Sequence, residues 1–172
     1  MKKKDLKAEE FEQFYGVYLA TLDEDTVLME QLQKGHENFP KFINTIPNDK
    51  LNYAYAHGKW TVAQVLLHII DSERIFQYRA FRFSRQDKTL LMGFNQDDYV
   101  LENDPRGQSK ESIIEAYKAM RASTIDVFKT LSEDELKYTG LASNLQWSVA
   151  GLGFVICGHQ RHHRNIIRER YL

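Results

Sequence analysis

Apolar residues recur at three- and four-residue spacing over most of the chain, the pattern of helices that bury one face. The clearest run is Ile113, Ile114, Tyr117, Met120, Ile125, Phe128 and Leu131. Four helices are predicted, over about 25–46, 61–84, 109–131 and 148–170. Thr61, with Gln64 three residues later, makes a capping box that starts the second. Gly35 and Pro40 fall inside the first and predict a kink or a break there. The β-branched residues sit within helix-period patterns, so no strand is predicted.

Residues 85–107 keep no clean period and scatter Gly, Pro, Asn and Asp, which reads as a long crossover, a lid or both. A repeat spans the two remaining connections. Thr45-Ile46-Pro47-Asn48-Asp49-Lys50-Leu51-Asn52-Tyr53 aligns with Thr130-Leu131-Ser132-Glu133-Asp134-Glu135-Leu136-Lys137-Tyr138, and Trp60-Thr61-Val62-Ala63 with Trp147-Ser148-Val149-Ala150. Each copy is the end of one helix, a connection and the capped start of the next. The pattern is that of a duplicated helical hairpin. The predicted fold is therefore all-α, a single four-helix bundle domain over residues 1–172.

Composition narrows the class. The 172 residues are 42% hydrophobic and 27% charged, which excludes wholesale disorder. A net charge of −1 gives no global electrostatic case for nucleic acid or a membrane surface. One cysteine cannot form an internal disulfide. The apolar stretches Val62–Ile70 and Leu152–Cys157 are too short to span a bilayer, and Asp5, Glu9 and Glu10 stand where a secretory signal needs an apolar run. A cytoplasmic protein is expected.

Histidine carries the chemistry. Of six, His159, His162 and His163 fall within five positions. With His159 at 0° and about 100° per residue, Leu152, Val155, Ile156, Ile166 and Ile167 cluster around it, His163 lands at about 40° and His162 at about 300°. His159 and His163 therefore face the core one turn apart, a metal-ligand spacing, while His162 sits at the edge of the stripe as a supporting or packing residue. His68 lies in the apolar surround of the second helix. It is ~10 Å from that helix's start, and the His159–His163 midpoint is ~13 Å from the end of the fourth, so the three meet if these helices run antiparallel. Antiparallel pairing requires an up-down-down-up order with a long crossover between the second and third helices, which residues 85–107 supply.

Three neutral nitrogen ligands leave a coordination position open, as in catalytic rather than structural zinc sites. Zn²⁺ or Ni²⁺ leads the candidates, with Mn²⁺ and Fe²⁺ also fitting. Such an ion would make a nucleophile of water or a thiol. Asp71, one turn after His68, reads equally as an orienting partner of a ligand imidazole or as a solvated residue. His36 and His57 read as surface residues. Cys157 points about 160° from His159 and reads as structural. Arg161, Arg164, Arg168 and Arg170 read as a solvated, dipole-compensating face. Tyr15, Tyr18, Tyr53 and Tyr55 read as core or as pocket lining.

The chain resembles the DinB/YfiT-like superfamily of metal-binding bundles over nearly its whole length. The residues that carry the resemblance are Gly58-Lys59-Trp60-Thr61, His68-Ile69-Ile70-Asp71-Ser72-Glu73-Arg74, Tyr78-Arg79-Ala80, Phe83-Ser84-Arg85, Gly93-Phe94, Gly158-His159-Gln160-Arg161-His162-His163 and Arg168-Glu169-Arg170-Tyr171. The resemblance implies the up-down-down-up bundle, a metal on His68, His159 and His163, and a homodimer. It also implies one of several activities: a thiol S-transferase using a low-molecular-weight thiol and an electrophilic substrate, a metal-dependent hydrolase, or a non-catalytic metal-binding stress protein. The thiol transferase is the leading expectation from sequence.

Overall fold

The computed structural model describes residues 1–102 and 107–172. The four long helices are α2 (Leu28–Thr45), α3 (Val62–Ser84), α5 (Lys110–Lys129) and α6 (Val149–Arg170). Two short ones, α1 (Gly16–Leu19) and α4 (Gln96–Glu102), lie before the bundle and within the crossover. A two-stranded antiparallel hairpin, β1 (Thr139–Ala142) and β2 (Leu145–Ser148), leads into α6.

Contacts between helix ends establish the topology. Tyr171 Oη, past the end of α6, donates to Trp60 O just before α3 at 2.8 Å, so these helices run antiparallel. Lys110 Nζ at the start of α5 donates to Ile46 O at the end of α2 at 2.9 Å, giving a second antiparallel pair. Glu73 and Gln77 of α3 meet Arg121 and Ser123 of α5 in the same order along both helices, so α3 and α5 are parallel. The up-down-down-up order expected from the histidine levels is the order observed.

The repeat appears as matched hydrogen bonds. Val62 N donates to Tyr53 O at 3.2 Å, and Val149 N donates to Tyr138 O at 2.9 Å, at equivalent positions of the two copies. Thr61 and Ser148 each cap their helix, accepting from Gln64 N and Gly151 N.

Three expectations are corrected. The chain does form strands: Ser143 and Asn144 adopt φ of 55° and 61°, the left-handed pair that a two-residue hairpin turn requires. Gly140 in β1 lets the sheet lie directly on the Phe83 ring, where a Cβ would collide. Second, α2 begins at Leu28 and is not broken at Gly35 or Pro40; the break, the alternative to a kink, is the expectation corrected. Both residues are buried, and Gly35 leaves the space that the Arg121 side chain fills, so tertiary packing outweighs weak helix propensity. Third, the crossover is partly regular. It contains α4, and Leu91 bridges to Ala142 beside the hairpin. Residues 103–106 of it lie outside the described residues.

The core divides into two apolar halves. Leu28, Phe76, Phe83, Phe128, Trp147 and Phe154 form one. Phe39, Ile43, Leu66, Ile69, Tyr117 and Ile167 belong to the other. Each long helix changes character between them. Gly35 stands there on α2, His68, Ser72 and Glu73 on α3, Arg121 and Thr124 on α5, and His159 and Gln160 on α6. A polar layer thus crosses the bundle. Among the described residues no helix is long and apolar enough to cross a membrane.

Candidate metal centre

His68 is seven residues into α3, and His159 and His163 are one turn apart on α6. The antiparallel packing brings them to one level. His68 Nε2 lies 3.0 Å from His159 Nε2, and His163 Nε2 lies 3.1 Å from His159 Nε2. Among the described residues they form a group able to hold a metal ion, with His68 and His159 buried and His163 half-buried.

Three aromatic residues set the walls. The Trp60 ring centroid is 4.9 Å from that of His68. Phe76 lies 6.2 Å from His159, nearly perpendicular to it. Tyr18 meets His159 edge-on at 5.0 Å and also contacts His162 at 5.2 Å. Gly158 permits this last arrangement, because a Cβ there would strike the Tyr18 carbonyl. The glycine before His159 therefore brings the N-terminal segment onto the site.

Burial keeps the imidazoles neutral. It pushes His68 down from 6.5 to about 4. Burial, reinforced by His68 and His162, pushes His163 down to about 3. His159 falls well below 6.5 for the same reason, with the three neighbouring histidines adding to it. Ser72 Oγ lies 3.4 Å from His68 Nδ1, on the opposite side of the ring from Nε2. A proton kept on that Nδ1 leaves the Nε2 lone pair facing the cluster.

The cluster fits a shared cation. A neutral ring nitrogen offers a single hydrogen or a single lone pair, so hydrogen bonding alone leaves three convergent Nε2 atoms under-satisfied. An ion ~2.1 Å from each nitrogen spaces its ligands roughly 3.0–3.4 Å apart, close to the 3.0 and 3.1 Å separations from His159 Nε2. All three nitrogen donors are neutral, the state that binds a divalent metal.

Two cavities adjoin the cluster. One, of about 280 Å³, is lined by Phe14, Tyr15, Tyr18, Phe76, Phe94 and His159. The other, of about 390 Å³, is lined by Lys59, Trp60, Tyr55, His162, His163 and Arg170. Asp97 of α4 lines both.

The other sequence candidates separate. His162 packs its ring 5.1 Å from His163 and stays outside the three-nitrogen group. Asp71 holds Arg74 at 2.7 Å. His57 is exposed and His36 half-buried. Cys157 is buried, and burial pushes its thiol up to about 12, an inert thiol. The arginine face is only partly solvated. Arg168 and Arg170 are exposed, but Arg161 is half-buried and donates to Thr21 O at 2.8 Å, because the N-terminal segment covers that part of α6. Tyr15, Tyr18 and Tyr55 line the cavities, while Tyr53 is exposed and packs against Tyr171. Sequence reasoning missed Ser72, Phe76 and Asp97. Ser72 was within reach, being one turn from His68, whereas Asp97 arrives on α4, a helix of seven residues within the crossover that no periodicity places.

Residues 31–167, a span that includes all three gathered histidines, match the pattern of the DinB superfamily. The chain belongs to the DinB superfamily. This DinB chain is 20% identical over 145 residues to "Putative metal-dependent hydrolase OB0413" of Oceanobacillus iheyensis, covering 83% of both proteins. Its fold is that of YfiT from Bacillus subtilis, described as "a probable metal-dependent hydrolase with an unusual four-helix bundle topology". The TM-score is 0.72 at 17% identity, over 83% of this chain and 82% of that one.

Proposed function

We propose that this protein is a metal-dependent hydrolase in which His68, His159 and His163 hold one divalent ion, with zinc or nickel the first candidates and manganese or iron next. The observation that carries the reading is the convergence of three neutral Nε2 atoms, two on buried residues and one on a half-buried residue, beside two cavities that their residues line. The descriptions attached to the Oceanobacillus relative and to YfiT support it.

A divalent ion held by three neutral nitrogens supplies a Lewis acid with an open position for water and lowers that water's pKa toward neutrality. The chain's own residues do the rest. Trp60, Tyr18 and Phe76 hold the imidazole rings in place and keep bulk water from their faces. Asp97, the acidic residue that lines both cavities, is assigned the proton transfer from attacking water to the leaving group. Cys157 takes no part, being buried with its thiol held protonated.

Thiol transfer would use the same ion with a thiolate in place of water, and experiment separates the two. Protein stripped with a chelator is reloaded with zinc, nickel, manganese or iron, then assayed on ester and amide substrates and on thiols paired with an electrophile. Hydrolysis that chelation abolishes and one metal restores is the expected result. Thiol-dependent conversion without hydrolysis, accompanied by a thiolate absorption band in cobalt-substituted protein, would replace the hydrolase with a transferase. Neither activity with any metal would overturn the enzymatic reading.

A further inference from the structure

The two cavities differ in chemistry. The smaller is lined by the rings of Phe14, Tyr15, Tyr18, Phe76 and Phe94 together with polar Ser72, Asn95, Gln96 and Asp97, with no lysine or arginine among its lining residues. The larger has the exposed Lys59 and Arg170 in its lining, Arg170 donating to the Tyr55 hydroxyl at 3.2 Å. His159 lines the aromatic cavity and His163 the cationic one, with their Nε2 atoms 3.1 Å apart. Asp97 is the wall they share.

We propose that the substrate is an N-acylated amino acid or a close analogue: an aryl or alkyl acyl group in the aromatic cavity, a carboxylate at Lys59 and Arg170, and the amide between them at the histidines. This substrate class rests on the hydrolase reading. Aromatic walls take an apolar acyl group by burial and ring contacts. The carboxylate is favoured by the charge balance. Asp97 is the one acidic residue lining the cavity beside Lys59 and Arg170, and an ion on three neutral histidines would keep its full positive charge. Water adds through oxygen to the acyl carbon, the bond from that carbon to nitrogen breaks, and the nitrogen leaves as an amine with a proton from that water. The acyl group departs as a carboxylate from the aromatic side and the amino acid from the cationic side.

N-benzoylglycine tests this, because its neutral analogue N-benzoylglycinamide keeps the ring and loses the charge. Binding of both is measured by calorimetry to the full chain, metal-free and zinc-loaded. N-benzoylglycine is expected to bind about fivefold more tightly than the amide in both forms. The Lys59→Gln/Arg170→Gln double variant is expected to bring that ratio to about one, and Phe94→Ala to weaken both ligands. Equal binding of the two ligands would overturn the proposal, as would a preference that appears only with zinc and survives the double variant. The two readings can fail separately. Metal-dependent turnover of a neutral ester without carboxylate preference removes the substrate class alone. Carboxylate preference in a protein that hydrolyses nothing removes the hydrolase and leaves the two-part cleft.

Discussion

Arg121 and Glu73 meet at the centre of the bundle through two hydrogen bonds, Nε to Oε1 at 2.6 Å and Nη2 to Oε2 at 2.8 Å, both side chains closed to solvent. Thr124 Oγ1 donates to Glu73 Oε1 at 2.8 Å and completes the arrangement. Glu73 lies just over one turn beyond His68 on α3, so the ion pair and the histidines occupy the same polar layer. Breaking the pair from one side leaves a buried charge alone. Glu73→Gln is expected to cost ~3–5 kcal/mol of stability, read by urea denaturation. Replacing both residues with methionine recovers most of that loss. A Glu73→Gln protein as stable as the wild type would contradict the role given to the pair.

The depressed histidines set a pH dependence in the metal-free protein. Unfolded, these imidazoles take up protons near 6.5, whereas in the fold His68 resists until about 4 and His163 until about 3. The unfolded state therefore binds more protons between those limits. The stability from keeping the rings neutral is complete above 6.5 and lost as pH falls through 4 toward 3. The urea midpoint is expected to fall from pH 7 to pH 4, and to fall less steeply in His68→Gln/His163→Gln. A flat midpoint over that range would contradict the burial argument.

Gly140 lies against the Phe83 ring with no room for a methyl group. Gly140→Ala is expected to destabilise the protein by ~1–3 kcal/mol through overpacking. Thermal unfolding reads the loss. Restored stability in Gly140→Ala/Phe83→Leu would show that the ring is the obstacle.

Asp97→Asn separates metal binding from turnover. The variant is expected to keep its metal content and lose about 100-fold or more in kcat, the scale of a removed general base. A fall in KM performance alone, with kcat intact, would make Asp97 a substrate contact instead.

The bundle and the histidine triad were legible because both are periodic. Helix angles place His159 and His163 on one face, and counting from capped helix ends brings His68 to their level. The hairpin was not legible. Its strands are four residues each, and its turn depends on Ser143 and Asn144 both adopting the left-handed conformation rather than on a glycine. The continuity of α2 through Pro40 was hidden for another reason. Pro40 is buried within the helix, and upstream the space beside Gly35 is filled by Arg121, 86 residues away in sequence. The cavities were invisible because Asp97, Phe94 and Phe14 reach the site from short elements and connections outside the four long helices, too brief for sequence spacing to give a direction.

The central claim is that three histidines, and not the fourth beside them, hold one ion. Metal content per chain, measured by mass spectrometry after reconstitution and desalting, tests it in the wild type, His159→Ala and His162→Ala. About one divalent ion per chain is predicted for the wild type and for His162→Ala, and essentially none for His159→Ala. Stoichiometric metal in His159→Ala, or its loss in His162→Ala, would contradict the site.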